Sequence, residues 1–286
     1  MSLGRVLVTG ASGQLGCDLC ELLDSAVGRS HAELDIADPA ALTRAFDEAD
    51  PQVVFNCAAF HNVDACEREP DRAWEVNVRA VRDLGQLCAG RGARLVHLST
   101  NYVFDGTAER PYAEDDLPAP RSVYAITKLA GEHAALAYAP GALVVRSAGL
   151  YGLHGSRSKG GNFVQRMLAR AREQGALRMV ADQLLTPTFT ADLAAGLVEA
   201  VETGLAGVLH LTNAGACSWH EFTVAILENA GLDVPVEAVP TTRSPGSPDR
   251  PLNGVLVSHR GEPRRHWREA LDDYMARAGR AVSPRT

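Results

Sequence analysis

The stretch that decides the fold is Arg5-Val6-Leu7-Val8-Thr9-Gly10-Ala11-Ser12-Gly13-Gln14-Leu15-Gly16. Its first five residues form a short, β-branched apolar run, the composition of a buried strand. The run breaks at Gly10-x-x-Gly13-x-x-Gly16, and helical periodicity then continues to about Leu23. In a strand–turn–helix each glycine has a physical task. Gly10 permits a tight turn, Gly13 lets the backbone approach a pyrophosphate, and Gly16 lets helix and strand pack closely. The start of the helix adds unpaired N–H groups and a partial positive charge. Gly10, Ser12, Gly13, Gln14 and Leu15 are therefore the first candidate cofactor residues. A glycine triplet alone is a weak signal, and its place at the head of a βα unit gives it weight.

Working outward, strand-like and helix-like segments alternate. A second strand is predicted over Ala26–Arg29, then a helix capped by Asp38 with Pro39 in its first turn. Gln52–Cys57 reads as a third strand, followed by one long helix through Trp74, Val78, Val81 and Leu84. Arg94–Ser99, Ala142–Arg146 and Val208–Leu211 are further apolar runs. Apolar strands without alternation, separated by helices, predict an α/β fold with a doubly wound parallel sheet, which places ligands beyond the carboxyl ends of its strands. After about Tyr151 the pattern becomes irregular, with Gly and Pro punctuating Gly152–Gly161 and Pro240–Pro251. The expected organisation is a dinucleotide-binding domain over residues 1–150, completed by about 186–213. A smaller, discontinuous C-terminal substrate lobe is expected from about 151–185 and 214–286. Ser218-Trp219-His220-Glu221 reads as a capping box opening a helix in that lobe.

Among the 286 residues 46% are hydrophobic and 22% charged, the balance of a folded globular chain. The formal net charge of -7 does not attract polyanions, so no nucleic-acid partner is expected. The longest apolar stretches fall far short of the roughly 20 residues needed to span a bilayer. No apolar signal core precedes the first strand, so no membrane association and a cytoplasmic location are expected. The six cysteines are scattered; Cys17-x-x-Cys20 lies on the first helix without a second pair at zinc spacing, and both are read as buried small apolar side chains.

The end of the second strand reads Gly28-Arg29-Ser30-His31 rather than carrying an acidic residue. Arg29 and Ser30 suit a 2′-phosphate, which favours NADPH with NADH as the alternative. Asp35-Ile36 lies just beyond and could flank the adenine. Tyr124-Ala125-Ile126-Thr127-Lys128 sets a phenol and an ammonium one helical turn apart. A cation beside a phenol favours phenolate and is expected to lower its pKa, making Tyr124 a proton donor near neutral pH. The spacing alone is a frequent accident. Its context gives it meaning: the pair follows the fourth major strand, which ends in Ser99-Thr100. Thr100, Tyr124 and Lys128 then form a catalytic set for polarising a carbonyl.

Taken together, the chain resembles the dTDP-4-dehydrorhamnose reductase family of extended short-chain dehydrogenases, from end to end. The resemblance rests on Val8–Gly16, Leu34–Ile36, Asn56–Phe60, Val63–Glu67, Ser99–Gly106 and Pro111–Asp116. It continues through Tyr124–Glu132, Gly161–Phe163, Val180–Gln183, Thr186–Thr188, Ser218-Trp219 and Arg250-Pro251-x-Asn253. It implies a Rossmann domain and reduction of the keto group of a dTDP-linked 4-keto-6-deoxysugar. In that reading Tyr124 protonates the developing alkoxide, Lys128 tunes Tyr124 and binds the nicotinamide ribose, and Thr100, or less readily Ser99, bonds the carbonyl. Ala58, Ala59 and Phe60 line the cofactor. Thr100, Asn101, Tyr124, Gly149, Asn162, Gln183 and the Thr186–Thr188 turn face the nucleotide-sugar.

Two departures fall where substrate identity is set. Asn101 stands where the family usually has aspartate, and Gly149 stands where it often has tryptophan, removing an apolar wall. A related 4-ketosugar is therefore an alternative to dehydrorhamnose. A dehydratase would need an acidic residue where Asn101-Tyr102 stands. A nucleotide-sugar epimerase fits the second-lobe segments less well. A non-catalytic NADP-binding subunit, like the regulatory subunit of methionine adenosyltransferase, is the reading from a different class. No metal is expected: His61, His97, His154 and His220 are isolated, and the run from Asp64 to Asp71 reads as a solvated helix approach. Basic Arg264–Arg268 reads as one face of a terminal amphipathic helix. The resemblance leaves room for a homodimer.

Overall fold

Strand β1 (Val6–Thr9) is buried along its whole length, as four apolar or β-branched residues in the middle of a sheet require. Helix α1 (Gln14–Leu22), β2 (Ala26–Arg29), α2 (Pro39–Ala49) and β3 (Val53–Asn56) follow in the computed structural model, which describes residues 3–155, 160–242 and 246–282. Asp38 caps α2 by accepting from Ala40 N at 2.9 Å, with Pro39 in the first turn. Next come α3 (Val63–Arg68), α4 (Pro70–Trp74) and α5 (Ala80–Arg91). The single long helix expected here is interrupted by a π turn over Glu75–Arg79. It coincides with buried Asn77, whose amide is engaged with a neighbouring loop.

Strand β4 (Arg94–Thr100), α6 (Val123–Tyr138) and β5 (Leu143–Ser147) lead to the second half of the chain. Ser122 opens α6 by accepting from Ala125 N at 3.2 Å, which fixes where Tyr124 starts the first turn. Then follow β6 (Leu150–Tyr151), α7 (Phe163–Gln174), β7 (Leu177–Val180), β8 (Leu184–Leu185) and β9 (Thr188–Phe189). Helix α8 (Thr190–Glu202), β10 (Gly207–His210), β11 (Cys217–Ser218), α9 (Trp219–Asn229), β12 (Val236–Val239) and α10 (Trp267–Val282) complete the order. The punctuated loops 152–161 and 240–251 are described except at 156–159 and 243–245, which lie outside the described residues.

Six strands form one parallel sheet in the order β10-β5-β4-β3-β1-β2. The order reverses between β1 and β3, which is where a doubly wound sheet opens its ligand crevice. One face is covered by α2, α5 and α6, whose Leu42, Phe46, Leu84 and Ala135 pack on Leu7, Val54 and Leu95. On the other face α1 and α8 supply Leu15, Leu19, Leu193 and Leu197. A separate aromatic core of Tyr151, Phe189, Phe222, Trp267 and Tyr274 holds α9 and α10 against β6 and β9. Ser218 and Glu221 form the expected capping box at the start of α9. All six cysteines are free thiols, and Cys17 and Cys20 are half-buried rather than fully buried, because α1 turns that side toward its own entry loop. No helix among the described residues is long and apolar enough to cross a membrane.

Candidate active site

The glycine turn does what its spacing demands. Gly10 has φ +67°, and a Cβ there would stand 2.8 Å from Ala58 N, so only glycine lets the turn touch the end of β3. A Cβ on Gly16 would lie 2.4 Å from Gly10 O. The N-cap of α1 is exposed Gly13, with no side chain closing the helix start. Its first N–H groups are therefore available to an anion, which is the cradle a dinucleotide pyrophosphate requires. Ser12 is half-buried beside it. Leu15 is buried in the core, and the Gln14 amide is a brace that accepts from Gly152 N at 2.8 Å. These two residues offer their backbone, not their side chains, to a cofactor.

At the end of β2, Arg29 pairs with Glu48 at 2.8 Å, while Ser30 donates from its N–H and hydroxyl to Glu33 at 2.8 and 2.7 Å. The Ser30 bonds hold the Glu33 carboxyl below its usual range. The Arg29–Glu48 pair is partly solvated, and exposed pairs are weak, so Arg29 can exchange it for a phosphate at small cost. Asp35 sits against Arg72 at 2.9 Å. Burial acts to raise its pKa, but bonds from Ala37 and Arg72 outweigh this and hold it low. Ile36 is a core residue, 3% exposed, so its side chain is not a cofactor wall. Ala58, Ala59 and Phe60 are half-buried at the end of β3.

Thr100, at the carboxyl end of β4, lies close enough to Tyr124, in the first turn of α6, for its hydroxyl to favour the phenolate, while that hydroxyl accepts from Tyr102 N at 3.2 Å. Tyr102 stacks edge-on against Tyr124 at 5.7 Å. Ser99 instead donates to Glu132 Oε1, farther along the helix that carries Tyr124 and Lys128, so its hydroxyl is engaged. It is not a substitute for Thr100. Glu132 in turn pairs with Arg146 at 2.7 Å, the two only 2% and 4% exposed. Lys128 is 3% exposed and donates to Leu98 O at 2.6 Å, with His97 Nε2 at 3.3 Å.

The electrostatics correct one expectation. Lys128 does not pull the Tyr124 phenol down; burial pushes that phenol well above its usual value, with the Thr100 bond opposing. The reason is geometric: the ammonium is turned to β4. Burial brings Lys128 itself down to about 8.

Six residues expected at the sugar are engaged within the protein. Asn101 is buried and donates to Gly254 O at 2.9 Å, tying the turn after β4 to the 250–256 segment. Asn162 caps α7, bonds Gln165 N, and gives its N–H groups to Gly152 O and the Tyr274 hydroxyl at 2.6 and 2.8 Å. Every polar atom of that amide is consumed internally. Gln183 donates to Thr241 Oγ1 at 2.9 Å, and Thr186 and Thr188 are buried with internal partners. Gly149 leaves no opening where a large side chain was expected: it has φ +58°, and a Cβ there would meet Leu185 Cδ1 at 2.7 Å.

A cavity of about 430 Å³ lies beyond the β4 end, lined by Asp105, Arg121, Asp182, Arg250, Leu252 and Asn253. Its two arginines are candidate partners for an anion. Another of about 490 Å³, between α7, β7 and β12, is remote from Thr100 and Tyr124. The sequence also missed Asn77. Its amide takes Phe60 N at 2.9 Å, gives to Phe60 O at 3.0 Å and reaches Thr127 at 3.1 Å, so it fixes Phe60 against the catalytic helix. The signal was an asparagine inside an apolar helical run. His154 is not isolated: it lies 2.9 Å from Glu21 and 3.8 Å from Asp18, and their ligand atoms fall within 4.8 Å of one another. That cluster joins distant segments, so no sequence spacing could announce it.

A dinucleotide cradle with Thr100, Tyr124 and Lys128 beside it defines a short-chain dehydrogenase/reductase of the extended type. The sequence matches the RmlD substrate binding domain family over residues 4–280. It is 42% identical to a dTDP-4-dehydrorhamnose reductase of Streptomyces griseus, covering 98% of this chain and 96% of that one. It is 38% identical to a dTDP-4-keto-6-deoxy-D-glucose reductase of Streptomyces niveus, over 93% and 95%. The dTDP-4-dehydrorhamnose reductase of Bacillus anthracis, solved in complex with NADP, superimposes with a TM-score of 0.89 at 32% identity, covering 96% of this chain and 99% of that one. The chain belongs to the RmlD family of dTDP-4-ketosugar reductases.

Proposed function

We propose that this protein uses NADPH to reduce the 4-keto group of a dTDP-linked 6-deoxysugar, dTDP-4-dehydrorhamnose or a close relative. The observation that carries the reading is the proximity of Thr100 at the end of β4 to Tyr124 on α6, with buried Lys128 one helical turn on and an uncapped glycine turn at the head of α1. Two relatives named as reductases of dTDP-linked ketosugars and a neighbour solved with NADP support it. No observation favours an epimerase or a regulatory subunit.

The bound cofactor supplies hydride to the carbonyl carbon. The uncapped start of α1 binds its pyrophosphate through the amides around Ser12–Leu15, with Arg29 and Ser30 placed for a 2′-phosphate. Thr100 donates to the carbonyl oxygen and polarises it. Tyr124, kept protonated by burial, gives its proton to the alkoxide as charge develops. The Lys128 cation then stabilises the phenolate left behind and binds ribose hydroxyls. Arg121 and Arg250, on exchanging their pairs with Asp105 and Asp64, are suited to the diphosphate of the sugar, and α7, β7, β8, β11, α9, β12 and α10 supply the lobe that covers it.

The test is NADPH oxidation, followed at the nicotinamide absorbance, with a panel of dTDP-, GDP- and UDP-ketosugars and with NADH as second donor. Turnover is expected with a dTDP-4-keto-6-deoxysugar. No turnover with any sugar, together with tight NADP binding and a co-purifying protein, would replace the enzyme reading with the regulatory one.

A further inference from the structure

Four buried polar side chains run in line beneath the site, and the reaction as described uses only the last. Thr9 Oγ1 lies 2.7 Å from Asn56 Oδ1, Asn56 Nδ2 lies 3.0 Å from His97 Nδ1, and His97 Nε2 lies 3.3 Å from Lys128 Nζ. Thr9, Asn56 and His97 are 0% exposed. They come from the ends of β1 and β3 and the middle of β4, three adjacent strands with Thr9 opposite Asn56 and Asn56 opposite His97. Gly131 on α6 lies against the imidazole, and a Cβ there would meet Asn77 O at 2.2 Å and His97 Nε2 at 3.4 Å.

The proton count along this line selects one arrangement. An ammonium has three donors and no acceptor, so the imidazole nitrogen facing it must accept. Burial, reinforced by the Lys128 charge, holds His97 neutral, and a neutral ring carries one proton. With Asn56 Nδ2 on Nδ1, that proton would sit on Nε2 and point at the ammonium, donor against donor. Turning the Asn56 amide half a turn removes the conflict, since its two ends differ only in which carries hydrogen. His97 Nδ1–H then donates to the amide oxygen, the amide N–H donates to Thr9 Oγ1, and Nε2 accepts from Lys128.

We infer that His97 is a positioning residue that grips the Lys128 ammonium through Nε2, in a tautomer locked by Asn56 and Thr9. Leu98 O and His97 together hold two of the three ammonium protons against β4. The third is left for the crevice, where Tyr124 and the cofactor ribose lie in the proposed reaction. The same grip keeps the lysine charged despite its burial. The other ionisable groups that act on it are Glu132 on α6 and Cys57 beyond β3, and both favour the charged form. Removing the acceptor therefore lowers the lysine pKa further below about 8.

The inference is tested in two independent ways. Nitrogen-15 NMR of the wild-type protein near pH 7 reads the tautomer directly. A proton on Nδ1 is expected; a proton on Nε2 would overturn the proposal and mean that Lys128 is held as a neutral amine. The kinetic arm rests on the reductase reading. His97→Asn, too short to reach the lysine, should lower kcat about tenfold and bring the alkaline decline of kcat about one pH unit earlier. His97→Gln, whose amide reaches near the old Nε2 position, should restore most of both. A His97→Asn enzyme with an unchanged pH profile would overturn it, as would equal losses in both variants. A wild type inactive on every sugar would remove the reductase reading, while the tautomer would still decide the grip.

Discussion

The β4–α6 pair and the segments around Gly149, Asn162 and Gln183 use polar side chains in opposite ways. At the sheet, the end of β4 and the first turn of α6 bring Thr100 to Tyr124, while Lys128, one helical turn on, is held by His97 and Leu98 O, and Ser99 by Glu132. In the later segments, short strands and loops leave many backbone groups without ladder partners. Side chains there serve as their partners: Asn162 caps a helix, Gln183 ties down Thr241 and Thr186 bonds Gly215 O. A polar residue on a regular element can be spared for chemistry; a polar residue in an irregular lobe is needed for the fold.

Four substitutions break or sharpen that contrast, taken from the largest expected effect down. Tyr124→Phe should cost about 10²–10⁴-fold in kcat while cofactor affinity stays near wild type, because only the proton donor is removed. Turnover within a few-fold of wild type would dismiss its role. Glu132→Gln leaves Arg146 buried without its counter-charge and should lose about 3–5 kcal/mol of unfolding free energy by denaturant titration. A loss below about 1 kcal/mol would show that the pair is replaceable. Asn162→Ala should cost about 1–2 kcal/mol through the lost cap, with KM for the sugar little changed. A raised KM at unchanged stability would return Asn162 to the substrate. Smallest, Arg29→Ala should weaken NADPH by about tenfold or less and NADH hardly at all, and equal losses in titrations of both would remove the 2′-phosphate contact.

A pH series adds a check on Lys128. Its folded pKa is about 8, below the ordinary lysine value of 10.5, so the unfolded chain binds more protons between those values. The lysine's contribution therefore makes stability rise with pH from about 8 to 10.5 and stay flat below about 8. Activity runs the other way, falling as the ammonium is lost above about 8. A Lys128→Met variant should lack the stability slope across that window, which thermal melts at several pH values would report.

The sequence alone determined the elements that position the chemistry. Gly10 and Gly16 are legible because no other residue fits their contacts, and Tyr124 and Lys128 because a helix brings i and i+4 to one face. The Asp38 and Ser218 caps are likewise local signals. What only the tertiary structure decided is who spends whose hydrogen bonds. The Asn101 tie to Gly254, the Asn77 clamp on Phe60 and the line from Thr9 to Lys128 each join segments far apart in the chain. The phenol of Tyr124 was expected to fall and instead rises, because burial depends on the whole packed molecule whereas spacing depends on one helix.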